Sequence, residues 1–504
     1  MEMTPSVSAA GRALNEVTLR ELPGGVKVPA YDRRNLVPSI IHIGVGGFHR
    51  AHQAVYLDDL AGIGGKWGER GVGVLAQDRT MADALRPQDC LYTVLARDDA
   101  GDTARIIGAL LDYLFAPEQP EAVLNALADP STRLVTMTIT EGGYNVGEAS
   151  GEFDAANAAV QGDLQHPDKP TTAFGFLAEA LDRRRRLGTR PFTLLSCDNI
   201  QSNGRIARTA LVSFARLRDD ALANWIEEHV AFPNSMVDRI TPQTADGDRE
   251  LLAREFGIAD RWPVVTEPFT QWVIEDVFSD GRPALQDVGV QMVADVLPYE
   301  NMKLRLLNAS HSAMGYLGYV AGYRTVDAMM ANPFFRAYIQ RQMRDEVAPL
   351  LRPVPGIDLE AYQRTLIERF CNSKIGDQAS RICLGGSAKV PKFLLPPLHD
   401  ALASGGPHKL ITLALAGWFR YLLGVDEQGQ SFDLQDARGP ELQVLALAGR
   451  DDPRPLLSRR DLFGDLEDRD AFVTELQATL RDVNNYGAEA ALHRSLSDGL
   501  PWLP

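Results

Sequence analysis

The chain has 504 residues, 45% of them hydrophobic and 23% charged, which is enough for two or more domains that each bury a full core. Its 51 basic and 67 acidic side chains leave a net charge of -16, which argues against a nucleic acid or an anionic membrane surface as partner. Cys90, Cys197, Cys371 and Cys383 lie far apart with no C-x-x-C pair, the pattern of free thiols in a reducing compartment and of a chain without structural zinc.

The opening stretch M-E-M-T-P-S-V-S-A-A-G-R has an early acid and no apolar core, so no secretory leader is expected and the protein is read as cytoplasmic. Residues 1–38 are polar, with a small hairpin expected around Pro23-Gly24-Gly25. The first strong element is S-I-I-H-I-G-V-G-G-F-H-R-A-H: a strand over 39–43, a tight turn at Gly44, Gly46 and Gly47, and a helix over 48–60 that Phe48 opens. A strand, a glycine turn and a helix start let backbone N–H groups meet a pyrophosphate. A lone G-x-G is weak evidence, and His49 stands where the third glycine of the usual fingerprint would be. His42 is read as a strand residue, and His49 and His52 as helix-start packing rather than ligands.

A second strand over 72–76 is expected after an inserted loop at 62–71, and it ends in Gln77-Asp78. An acid there can bind the two ribose hydroxyls of NAD and repel the 2′-phosphate of NADP; the plain alternative for Asp78 is a turn cap. Strands over 105–107, 134–140 and 192–197, with helical stretches between them, predict a parallel sheet. The last two run into Glu141-Gly142-Gly143-Tyr144 and Asp198-Asn199, and doubly wound sheets bind ligands at such strand ends. Glu141 and Asn199 are therefore candidate site residues. One long helix is expected over 205–232, followed by M-V-D-R-I-T-P and V-V-T-E-P-F-T-Q-W-V-I-E-D.

After about residue 295 strand patterns nearly vanish. Amphipathic helices are expected over 302–320, 335–350, 359–370, 409–423 and 472–483, with a loop at 381–389 between them. The segment 410–423 is the most apolar, but it carries Arg420 and stops at Gly424, so it reads as a buried helix and not a membrane span. The expected architecture is α/β: a Rossmann-type doubly wound parallel sheet domain over 1–295, then a mainly α-helical domain over 296–504, with the site in the cleft between them.

The stretch Y-E-N-M-K-L-R-L-L-N-A-S-H-S-A-M-G, residues 299–315, reads as one amphipathic helix. At roughly 100° per residue, Asn308 stands about 140° and His311 about 80° around the axis from Lys303, so the three can share a broad face. An amine, an amide and an imidazole on one pocket can take a proton and hold an alkoxide. Set beside that is a plain solvated helix face, and also the Y-x-x-x-K pair Tyr299/Lys303, which would carry the Tyr/Lys chemistry of short-chain dehydrogenases.

Taken together and in order, G-V-G-G-F-H-R-A-H-Q, T-E-G-G-Y, S-C-D-N, S-M-V-D-R-I-T-P, E-P-F-x-Q-W-V-I-E-D and K-x-x-x-x-N-x-x-H resemble the polyol-specific long-chain dehydrogenase/reductase family, from about residue 36 to 425. The resemblance implies zinc-independent, NAD-dependent oxidation of a secondary alcohol in a polyol to the ketose. By match, Lys303 is the general base, Asn199 and Asn308 hold the reacting oxygen, and His311 binds a substrate hydroxyl. Arg381 and Lys389 contact the sugar chain, Asp238 lies on the substrate side, and Glu300 passes the proton towards solvent. A lysine is a poor base at its ordinary pKa of about 10.4; burial beside the cationic nicotinamide is expected to bring it to roughly 7 to 8. The expected pair is D-mannitol and D-fructose, with fructuronate reduction, D-arabinitol oxidation and a non-catalytic NAD-binding protein as alternatives. The partner is then a small polyol or ketose, and the chain a monomer or small homo-oligomer.

Overall fold

The computed structural model describes residues 11–147 and 151–497, so the reading of the first ten residues as leader-free lies outside the described residues. The chain forms two compact units, Met1–Leu297 and Pro298–Pro504.

The first unit is built on five parallel strands in the order Leu110–Phe115, Trp67–Gly73, Val37–Ile43, Leu134–Met137, Thr193–Ser196. Numbered along the chain this is 3-2-1-4-5, the doubly wound arrangement whose switch point lies between the first and fourth strands. Continuous apolar runs make such strands, because helices cover both faces: Ile40, Ile41 and Ile43 on the first, Leu134, Val135 and Met137 on the fourth are all buried. Helix Ala173–Leu187, one of the covering helices, starts where Thr172 accepts from Gly175 N and stops at Gly188 in the left-handed region.

Several expectations change here. Trp67–Gly73 occupies the second half of the stretch read as an inserted loop; its three glycines conceal a strand, and a Cβ at Gly71 would come within 2.6 Å of Val45. The third strand, Leu110–Phe115, carries no clear alternation and was not expected. Residues 105–107 belong instead to Gly101–Ile107, which pairs antiparallel with Tyr92–Asp98 in a separate sheet completed by Val264–Thr266. Asp98 makes that hairpin by accepting from Ala100 N and Gly101 N. At 23–25 there is only a turn, Val26 N to Pro23 O at 3.0 Å, and Arg12–Ala13 pairs parallel with Ile258–Ala259. The long helix splits into Asn203–Arg218 and Asp220–His229 because Asp219 turns extended and caps Ala221 N at 2.9 Å, a cap worth about 1 kcal/mol. The helix after the glycine turn likewise breaks at His52, into Gly47–Ala51 and Gln53–Gly62. A third sheet pairs Ser235–Asp238 with Gln271–Glu275 antiparallel and the latter with Gln291–Val293 in parallel.

The second unit is helical among its described residues, apart from isolated bridges at Thr325–Gln378 and Val425–Ser431. Its central rod comprises Leu297–Met302, a π-helical turn Lys303–Asn308, and Ala309–Ala321. The rod was expected to be amphipathic, yet Ala309–Ala321 is buried nearly all round, as a helix at the heart of a bundle must be. Small residues make that crowding feasible: a Cβ at Gly315 would sit 2.9 Å from Ile382, and one at Gly417, on the neighbouring helix Lys409–Tyr421, 2.5 Å from Leu317. The stretch read as a loop at 381–389 is helical, in Ala379–Cys383 and Gly386–Phe393. Residues 335–350 hold a second π turn, Gln342–Val347. No helix of the described residues is long and apolar enough to cross a membrane.

Candidate active site

At the switch point the strand Val37–Ile43 ends in Gly44 at φ +89°, where a side chain is strained. A Cβ there would lie 2.2 Å from the Thr138 carbonyl oxygen, so the turn crosses the end of the fourth strand at a distance only glycine allows. Gly46 and Gly47 differ: a Cβ at either would meet no protein atom closer than 3.8 Å. Packing does not demand those two glycines, and they fit a turn that a dinucleotide pyrophosphate approaches closely. Phe48, half-buried, stacks on His52 with ring centroids 5.0 Å apart.

Behind the turn lies a fully buried polar cluster. His49 Nε2 meets Glu69 Oε2 at 2.9 Å, and the His42 nitrogens meet Thr136 Oγ1 at 2.7 Å and Thr138 Oγ1 at 2.9 Å. His42, His49 and Glu69 offer ligand atoms close enough together for an ion. However, the two imidazoles are stacked at 3.6 Å with planes 13° apart, so their in-plane lone pairs run side by side and do not converge on a point. Burial pushes the Glu69 carboxyl up to about 7 and His49 down to about 3.

The ends of the fourth and fifth strands are tied by Asp198. Its carboxylate accepts from Ile139 N at 3.0 Å, Thr140 N at 2.8 Å and the Tyr144 hydroxyl at 2.6 Å. Thr140 is held at φ +61°. Glu141 and Asn199 next to these anchors are exposed. Asp78 follows the second strand and accepts from Leu75 N at 2.9 Å. It therefore does cap a turn. Asp238 is buried at the end of Ser235–Asp238, paired in register with Gln271.

In the second unit the π turn decides the geometry. Its i→i+5 hydrogen bonding stacks residues five apart on one side of the rod. Lys303 and Asn308, the first and last residues of Lys303–Asn308, thus stand closer around the axis than the 140° of a regular helix. Both are buried, as is Glu300 one turn earlier. His311, one turn later, packs on Phe370 with centroids 4.8 Å apart. Tyr299 donates its hydroxyl proton to Pro355 O at 2.7 Å, and burial pushes its pKa up; a tyrosine base needs the opposite shift. Arg381 is exposed and pairs with Asp377, while Lys389 Nζ reaches Ile382 O at 3.2 Å.

Residues 38–287 match the family model of the mannitol dehydrogenase Rossmann domain, and residues 295–484 that of the mannitol dehydrogenase C-terminal domain. The chain belongs to the mannitol dehydrogenase family. Within it, the chain is 47% identical to a mannitol 2-dehydrogenase of Aspergillus fumigatus over 97% of each chain. It is 44% identical to a mannitol dehydrogenase of Saccharomyces cerevisiae, covering 98% of this chain and 99% of that one. Among solved structures it resembles Pseudomonas fluorescens mannitol 2-dehydrogenase in its ternary complex with NAD and D-mannitol, at 44% identity, a TM-score of 0.86, and coverage of 97% of this chain and 100% of that one. A D-sorbitol dehydrogenase in substrate-free form aligns at 39% identity and a TM-score of 0.90, over 95% of this chain and 100% of that one.

For a mannitol dehydrogenase family member, the sequence reading missed four features: the π turn, the Glu69–His49 pair, the Asp198 anchor and the Asp377 partner of Arg381. Asp198 stands inside the quoted S-C-D-N motif, an acid at a strand's C-terminal end, and could have been found from that. Glu69 could not, because its strand was read as a loop.

Proposed function

We propose that the protein is an NAD-dependent polyol dehydrogenase that interconverts D-mannitol and D-fructose, with Lys303 as general base and without zinc. The observation that carries this reading is the likeness, over nearly the whole chain, to a mannitol 2-dehydrogenase seen with NAD and D-mannitol. NAD, when bound, accepts the hydride from the carbinol carbon. Gly46 and Gly47 leave its pyrophosphate room at the turn, and Asp78 receives the adenosine ribose. Lys303 takes the hydroxyl proton, acting as the neutral amine that a base must be. The amides of Asn308 and Asn199 donate to the substrate oxygen as it gains charge, an interaction that strengthens towards the transition state. His311, Arg381, Lys389 and Asp238 orient the remaining hydroxyls, and Glu300 receives the proton on its way to solvent. The stacked His42/His49 geometry and the scattered cysteines support a reaction that runs without a protein-bound zinc.

The likeness to a D-sorbitol dehydrogenase supports a second substrate, since oxidation of D-sorbitol at C2 yields the same ketose. The test is initial NADH consumption with fructose, fructuronate and xylulose side by side, repeated with NADPH and with chelator, and mannitol against sorbitol and arabinitol in the reverse direction. Fast, chelator-resistant turnover of fructose with NADH is the expected result. Preference for fructuronate or xylulose would reassign the substrate, and loss of rate with chelator would remove the zinc-free mechanism.

A further inference from the structure

Arg381 does not stand as a simple cation. Its Nε and Nη2 donate side-on to Asp377 Oδ1 and Oδ2 at 2.7 and 2.5 Å, from four residues further along the chain. The two partners are unequal: the Asp377 side chain is 8% exposed and that of Arg381 52%. The carboxylate is thus the fixed member of the pair, and the guanidinium is laid against it with its other edge outward.

The backbone on both sides is pinned. Asp377 O accepts from Val326 N at 2.9 Å, and Gln378 bridges antiparallel to Thr325. Lys389 Nζ donates to the carbonyls of Arg381 at 3.4 Å and Ile382 at 3.2 Å, which ties the end of Ala379–Cys383 to the next helix. A bidentate pair on a rigid frame leaves the guanidinium little freedom to swing away. Of its five N–H groups, those on the Nη1 edge remain for a ligand.

We propose that Asp377 is a specificity-determining residue: by cancelling the charge of Arg381 while leaving its outer N–H edge open, it selects an uncharged sugar chain over one that carries a carboxylate. This rests on the assignment of Arg381 to the substrate site made above. Hydroxyls need donors but no net charge, so the paired guanidinium serves a hexitol or ketohexose fully. A hexuronate differs from fructose by a carboxylate in place of the terminal hydroxymethyl group. Near Arg381 that carboxylate meets a cation already matched and, behind it, a buried anion that repels it. Asp377 touches no substrate; it acts through Arg381.

The test compares kcat/KM for fructuronate with that for fructose, both with NADH, in the wild type, Asp377→Asn, Asp377→Ser and Arg381→Met. Preference for fructose in the wild type is the first expected result, and equal use of the two ketoses overturns the proposal at once. In Asp377→Asn the fructuronate-to-fructose ratio is expected to rise on the order of tenfold or more as the guanidinium charge is released. Asp377→Ser gives the same answer if the amide variant does not fold. A ratio that stays within twofold of the wild type in a folded variant overturns the proposal. Arg381→Met separates that failure from a wrong site assignment: if it leaves the fructose KM unchanged, Arg381 is not at the substrate. A purely structural Asp377 would lower both rates together and leave the ratio where it was.

Discussion

The glycine turn at the switch point of the first unit and the π turn of the central rod in the second each carry candidate site residues, and each backbone departs from the regular form. At Gly44 the departure is written in the residue itself, since φ +89° and a carbonyl 2.2 Å from where a Cβ would be admit glycine alone. At Lys303–Asn308 no residue announces the departure: K-L-R-L-L-N is good helix-forming sequence, and the turn widens inside a tightly packed bundle. The first device is local and costs stability when broken. The second lies among buried side chains, and changing Lys303 or Asn308 there is expected to cost rate.

Lys303→Ala tests the second device most severely. A positioned general base contributes about 10²–10⁴ in rate, so kcat for mannitol oxidation is expected to fall by that factor, while NADH affinity, read by fluorescence titration, stays close to the wild type. The wild-type rate of oxidation should also decline as pH falls and the amine is protonated, and the variant should lose that limb. A variant within tenfold of the wild type would end the case for Lys303 as base. Asn308→Ala should follow at about 10²–10³ in kcat, the cost of one donor to a developing oxyanion. An effect on KM alone would place Asn308 on the substrate chain and not on the reacting oxygen.

Gly44→Ala tests the first device, and there the sign of the comparison reverses. Steric overlap with the Thr138 carbonyl and the left-handed φ act together, and a loss of about 3 kcal/mol or more in urea unfolding is expected. NADH binding should weaken with it. Gly46→Ala, whose Cβ would be 3.9 Å from the nearest protein atom, should leave stability nearly unchanged and still weaken NADH binding. If it leaves binding intact, that glycine does not face the dinucleotide.

The same contrast explains what could be read in advance. The strand–glycine turn–helix start was legible because its constraint lies in three residues. The Rossmann-type class was legible because apolar runs at 134–140 and 192–197 stop at polar loops. Trp67–Gly73 was not, since its three glycines suggest a loop until Tyr113 and Val45 are seen packing over Gly71. The split at Asp219 was present in R-L-R-D-D-A-L as an acid before a helical run, a cap signal overridden by the length of the apolar pattern. Lys303, Asn308 and His311 were placed on one rod correctly, but their angular relation was not, because a regular helix was assumed. Arg381 was visible as a cation, whereas its neutralisation by Asp377 depends on a turn of helix where a loop had been expected.

The smallest expected effect belongs to Glu69, and it bears on how the glycine turn is seated. The carboxyl is fully buried against His49, and its folded pKa of about 7 lies above the 4.5 of an unperturbed glutamate. The folded state therefore holds this proton more tightly than the unfolded chain does. The stabilisation is fully present below pH 4.5 and is lost as pH rises through about 7, at no more than about 1.4 kcal/mol per pH unit. His49, depressed to about 3 from 6.5, acts in the opposite sense, since stability rises as the unfolded imidazole loses its proton, and it masks Glu69 over most of that range. Glu69→Gln separates the two: it donates to His49 Nε2 at every pH and leaves the histidine term in place. The wild type's urea midpoint relative to Glu69→Gln should accordingly fall between pH 4.5 and about 7 and level off above it, with NADH affinity following the same course if the pair steadies the turn. A difference that is flat across that range would mean Glu69 is ionised in the folded protein, with the proton on the imidazole.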